Sequence, residues 1–133
     1  MPDRHILLID DEPYVRDVVM HCLARPGYQL DAPAVEDPSV ADGARIDALN
    51  GAYDVLLLDL RLPTLDPIEL LDRLAITAST TEPIAFAAFL PTEIRADLRI
   101  HGCTRFVEKP FTFSELITEI DSCPIISRTR DFS

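Results

Sequence analysis

Cysteine is scarce and unpatterned in this chain of 133 residues: there are three, an odd number, and no Cys-x-x-Cys or cysteine–histidine ligand spacing. That argues against a disulfide framework and against a structural zinc site. Cys22, Cys103 and Cys123 read as reduced, partly buried thiols. Long apolar runs are also missing. The stretch from Ile84 to Leu90 is among the longest, and it is far too short to span a bilayer. No apolar leader precedes the charged Asp10-Asp11-Glu12 cluster, so the expected location is cytoplasmic and away from the membrane. Basic residues are few: 12 Lys and Arg face 23 Asp and Glu, for a formal net charge of -11. Such a chain repels nucleic-acid phosphates and anionic lipid surfaces, so direct nucleic-acid binding is not expected. There is no internal repeat, low-complexity tract or interdomain linker. One domain is expected, residues 1–123, followed by a loose C-terminal tail at 124–133.

What is present is an alternation of short apolar runs and amphipathic stretches. The run from His5 to Ile9 reads as a buried strand. Glu12-Pro13 opens a helix with proline at its first position, and Val15, Val18, Val19 and Cys22 fall on one face. Tyr28 to Val35 is a weaker strand, interrupted by Pro33. Asp37-Pro38 starts a second helix that runs toward Asn50-Gly51. Asp54 to Leu60 is the strongest strand of all. Asp66-Pro67-Ile68-Glu69 has the form of a capped helix start with a capping box. A fourth strand covers Pro83 to Phe89, a short helix Thr92 to His101, and a fifth strand Arg105 to Val107. Thr112 to Glu115 is a second capping-box pattern, opening a helix whose apolar face is Phe113, Leu116, Ile117 and Ile120.

Five strands and five helices in strict alternation predict an α/β fold of three layers. Near-continuous apolar strands imply a parallel sheet buried on both faces, and right-handed crossovers place helices on both sides.

Sites in open parallel sheets form beyond the carboxyl ends of the strands. Asp10, Asp11 and Glu12 follow the first strand, Asp59 closes the third, and Lys109-Pro110 follows the fifth. Taken singly, each has a structural explanation: acidic residues suit helix N-termini, and a loop lysine is commonly solvated. Together they gather at one sheet edge. Clustered carboxylates repel, and a hard divalent ion such as Mg²⁺, which prefers oxygen ligands, offsets that repulsion. A carboxylate facing that ion can attack a phosphoryl group, with Lys109 balancing charge on the transferred oxygens.

On these residues the sequence resembles the receiver domains of two-component response regulators, over roughly residues 4 to 122. Three segments carry the resemblance: His5 to Glu12 (HILLIDDE), Val55 to Pro63 (VLLLDLRLP) and Phe106 to Phe111 (FVEKPF). The resemblance implies a (βα)5 doubly wound, flavodoxin-like sheet in the order 2-1-3-4-5. It makes Asp59 the phospho-acceptor. It assigns Mg²⁺ to Asp11, Asp59 and the backbone carbonyl of Arg61, with Asp10 acting through water. Lys109 is to pair with Asp59 and then with the phosphoryl group. Pro110 is to follow a cis peptide, and Phe106 is the aromatic switch. The implied partners are a histidine kinase or histidine phosphotransfer protein as donor, and a downstream protein or output domain as target; a homodimer is a further candidate. The protein is not an enzyme in the turnover sense, because it acts at most on itself.

The family's serine or threonine at the end of the fourth strand is absent. Ala88 is the best-aligned residue and Ala87 the alternative, and neither has a hydroxyl. That removes one charge-assisted hydrogen bond to a phosphoryl oxygen, on the order of 1.5–3 kcal/mol. Pro67 stands where the family commonly has glycine, a comfortable exchange in a helix first turn. The alternative function is a degenerate receiver that works as a phosphorylation-independent interaction module. A phosphatase of the haloacid dehalogenase type is disfavoured, since Arg61 replaces the second acid of its Asp-x-Asp motif.

Overall fold

A computed structural model describes residues 3–124. Ten elements alternate along the chain: β1 (Arg4–Ile9), α1 (Pro13–Cys22), β2 (Tyr28–Asp31), α2 (Pro38–Leu49), β3 (Val55–Asp59), α3 (Pro67–Ile76), β4 (Glu82–Ala87), α4 (Thr92–Ile100), β5 (Arg105–Glu108) and α5 (Phe113–Asp121). The strands form one parallel sheet in the order β2-β1-β3-β4-β5. This is the expected doubly wound topology. The expected tail at 124–133 lies outside the described residues from position 125 onward.

Period-2 alternation sorts the strand side chains into two cores. Ile6 and Leu8 of β1, Val55 and Leu57 of β3, Ile84 and Phe86 of β4 and Val107 of β5 pack with α1 and α5 through Val19, Cys22, Leu116 and Ile120. Their neighbours Leu7, Ile9, Leu56, Leu58, Ala85 and Ala87 face the other way, against α2, α3 and α4. Every residue of β3 is buried, which explains its unbroken apolar run.

Several boundaries differ from expectation. β2 stops at Asp31, and Pro33 lies beyond it. β4 ends at Ala87, two residues early. The Asp66 carboxylate accepts from the Ile68 and Glu69 amides, but only one half of the expected capping box forms there. At α5 the box is complete: Thr112 Oγ1 accepts from the Glu115 amide at 3.0 Å, and Glu115 Oε1 accepts from the Thr112 amide at 2.8 Å. Leu116 and Ile120 are the buried residues of that helix, whereas Phe113 is 43% exposed.

Loss of the α5 cap should be measurable. Thr112→Ala is expected to cost about 1 kcal/mol, read as a lower urea midpoint with an unchanged slope. An unchanged midpoint would mean the box contributes nothing to α5.

Candidate functional site

Strand alternation builds the site. Counting onward in twos, Ile6 and Leu8 lead to Asp10, Val55 and Leu57 to Asp59, Ile84 and Phe86 to Ala88, and Val107 to Lys109. All four residues therefore continue the face that packs on α1 and α5, just where the strands end. The carboxylates of Asp10, Asp11 and Asp59 offer oxygens within 4.8 Å of one another, a spacing suited to one metal ion. The three expected acids are thus brought together, with Lys109 among them.

Lys109 Nζ lies 2.7 Å from Asp10 Oδ2, 3.8 Å from Asp59 Oδ2 and 3.9 Å from Glu12 Oε1. The expected pairing with Asp59 is present, and Asp10 is a second and closer partner. Asp10 is 0% exposed, and a carboxylate so buried needs a counter-charge. Its other oxygen accepts the Glu12 amide at 2.9 Å. Asp59 is also buried, and its Oδ1 accepts the Arg61 amide at 3.1 Å.

Burial pushes the Asp59 carboxyl above the ordinary aspartate range. The Arg61 amide and the Lys109 charge act in the opposite direction, and the charges of Asp10 and Asp11 add to the rise. Asp59 is therefore a more basic carboxylate than an exposed aspartate.

The Lys109–Pro110 peptide is cis, as the resemblance implies. Ala87 belongs to the core on the α2–α4 side. Ala88 is exposed and lines a recess with Lys109, Pro110, Phe111, Tyr14, Val15 and Val18. Ala88 thus shares a recess with the lysine, while the Ala87 carbonyl accepts the Lys109 amide at 2.8 Å. Phe106 is half-buried on the opposite face, with the Arg95 and Arg99 guanidinium carbons 5.1 and 5.0 Å from its ring centre. The Arg61 side chain is exposed.

Sequence reasoning missed Phe86. It is fully buried, and Lys109 Nζ sits 4.8 Å from its ring centre. The ring forms an apolar, cation-tolerant floor beneath the ammonium, and it packs on Phe111 at 5.2 Å. The signal was available: Phe86 shares the face of Ala88, two residues earlier.

A parallel sheet in this order, with clustered acids and a lysine at its carboxyl edge, defines a receiver-type signalling domain. The model of the response regulator receiver domain matches residues 6–121; the chain belongs to that family. Among curated relatives, it is 34% identical over 115 residues to transcriptional regulatory protein HprR of Escherichia coli K12, covering 86% of this chain and 49% of that protein. It is 32% identical over 122 residues to YkoG of Bacillus subtilis 168, an uncharacterized transcriptional regulatory protein, covering 90% and 50%. The chain spans about half the length of the curated relatives it matches. Among solved structures, the receiver domain of a LuxO repressor protein from Vibrio parahaemolyticus superposes with a TM-score of 0.78 at 21% identity, covering 90% of this chain and 88% of that one. The receiver domain of sensor histidine kinase PA1611 from Pseudomonas aeruginosa PAO1 gives 0.73 at 26% identity, covering 90% and 95%; that structure holds a magnesium ion in its active-site cleft. Among the described residues, no helix is long and apolar enough to cross a membrane.

Two outcomes follow. Lys109→Ala strands the buried Asp10 carboxylate, and a loss of about 3–5 kcal/mol is expected in denaturant melts without metal. A loss below about 1 kcal/mol would show that Asp10 does not depend on Lys109. The second concerns Asp59. Its folded carboxyl titrates above its unfolded value, so ionising it destabilises the fold, and the penalty disappears as pH falls through the folded pKa. Asp59→Asn should therefore raise the metal-free thermal midpoint at neutral pH by several degrees. That advantage should shrink to nothing in acid. An equal shift at every pH would contradict the burial effect.

Proposed function

We propose that residues 1–123 form a phosphoacceptor receiver domain that takes a phosphoryl group onto Asp59. The observation that carries this reading is the meeting of Asp10, Asp11 and Asp59 within one metal-sized cluster, with Lys109 reaching into it. These donors fit Mg²⁺, because they are hard carboxylate oxygens in excess of the local positive charge. Asp11, Asp59 and the Arg61 backbone carbonyl would hold the ion, and Asp10 would act through water. When bound, the ion supplies charge neutralisation for the phosphoryl oxygens.

The chain's own groups do the rest. An Asp59 carboxylate oxygen forms the new O–P bond while the donor's N–P bond breaks, and the leaving imidazole nitrogen takes up a proton from solvent. Lys109 is held within 3.8 Å of Asp59, and a short swing from Asp10 brings it to the phosphoryl group. The donor chemistry is phosphohistidine, on a histidine kinase or a phosphotransfer protein. Output goes to a downstream protein or an output domain, and the acidic receiver surface does not itself bind DNA. The activity is confined to the protein's own phosphorylation and dephosphorylation, in a cytoplasmic setting.

Ala88 favours a second reading, a degenerate receiver that presents a fixed interaction surface. Intact-mass measurement after incubation with acetyl phosphate and Mg²⁺ separates the two. One added phosphoryl group, lost in Asp59→Asn, supports phosphotransfer; no adduct at millimolar Mg²⁺ supports the degenerate module. If an adduct forms, Arg61→Ala should change its decay several-fold, because that side chain stands exposed two residues beyond the acceptor. Identical decay would remove Arg61 from the chemistry.

A further inference from the structure

The missing hydroxyl at Ala88 raises the question of what fixes the segment between β4 and α4. In the receiver reading, that hydroxyl would draw the loop toward a phosphorylated Asp59. A different anchor is already in place. Glu108, the last residue of β5, pairs in register with Ala87, the last residue of β4. From there its carboxylate reaches the loop, and Oε2 accepts the Leu90 amide at 2.8 Å. The Leu90 carbonyl in turn accepts Arg95 Nε at 2.7 Å. The guanidinium of that same Arg95 lies over the Phe106 ring. Leu90 itself is 3% exposed and packed in the α2–α4 core.

Strand parity explains the geometry. Glu108 stands two residues after Phe106 and shares its face, opposite to the face of Lys109. The loop is thus gripped on the α4 side, away from the acidic cluster, and needs no contact with Asp59.

We propose that Glu108 is the positioning residue of the β4–α4 loop. It supplies continuously the restraint that a hydroxyl at position 88 would supply only with a phosphoryl group bound. Through Leu90 and Arg95 the anchor extends to Phe106, so loop and ring keep one arrangement whether or not Asp59 carries a phosphoryl group. The last point rests on the phosphoacceptor reading; the anchor itself does not.

Amide hydrogen exchange at Leu90, followed by NMR on the whole chain, tests both levels. Without any phosphoryl mimic, Glu108→Ala should lower Leu90 protection about tenfold or more, as expected for a lost hydrogen bond to a charged acceptor. Glu108→Gln, which keeps an acceptor oxygen, should retain most of it. Protection in Glu108→Ala equal to that of the unsubstituted chain overturns the anchor. Beryllofluoride with Mg²⁺ is then added, and its binding is read from the fluorine spectrum. With the mimic bound, Leu90 protection and the Phe106 ring signals of the unsubstituted chain should stay put. The same signals should move in a Glu108→Ala, Ala88→Thr double variant, where the hydroxyl is restored and the anchor removed. A tenfold change at Leu90 in the unsubstituted chain on binding overturns the constant restraint. Absence of a bound fluoride signal counts against the phosphoacceptor reading alone, and the first comparison still decides the anchor.

Discussion

Carboxylates held close together in a low-dielectric corner repel one another, and one ammonium keeps this corner assembled. Lys109 reaches Asp10 at 2.7 Å and remains within 4 Å of Asp59 and Glu12. Asp10 is fully buried and would be intolerable without that partner. Around the pair the fold is arranged to hold the lysine in place. Phe86 lies beneath it, the cis peptide to Pro110 turns the chain immediately after it, and the Lys109 amide bonds the Ala87 carbonyl at 2.8 Å.

The same strand alternation that separates the two cores also separates two tasks. Residues on the α1–α5 face lead outward to Asp10, Asp59, Ala88 and Lys109, the chemical side of the sheet edge. Residues on the α2–α4 face lead to Phe106 and Glu108, and Glu108 bonds Leu90 in the loop beyond β4. In a receiver with a hydroxyl at position 88, that hydroxyl would link the two sides across the top of β4. Here the alanine leaves the link open, and the α4 side is braced by its own hydrogen bonds.

Much of this was legible in the sequence because buried parallel strands announce themselves as apolar runs, and residues just beyond them are marked by position alone. Asp59 after VLLL and Lys109 after FVE need no long-range information. The period of two also separates Ala88, on the face of Ile84 and Phe86, from Ala87 on the opposite face. Less was legible where contacts depend on distant partners. Nothing local says that Lys109 lies closer to Asp10 than to Asp59. Nothing local says that Glu108 reaches Leu90, because their proximity comes from β4–β5 pairing. Phe113 fell on the apolar stripe of α5 yet is 43% exposed.

The claim on which the rest depends is that these acids form one cation site facing Asp59. A crystal structure of the chain grown with Mg²⁺ and beryllofluoride addresses it most directly. One ion is expected among Asp10, Asp11 and Asp59, with the fluoride group on Asp59 and Lys109 turned toward it. An ion bound elsewhere, with Lys109 still on Asp10 and Asp59 bare, would contradict it.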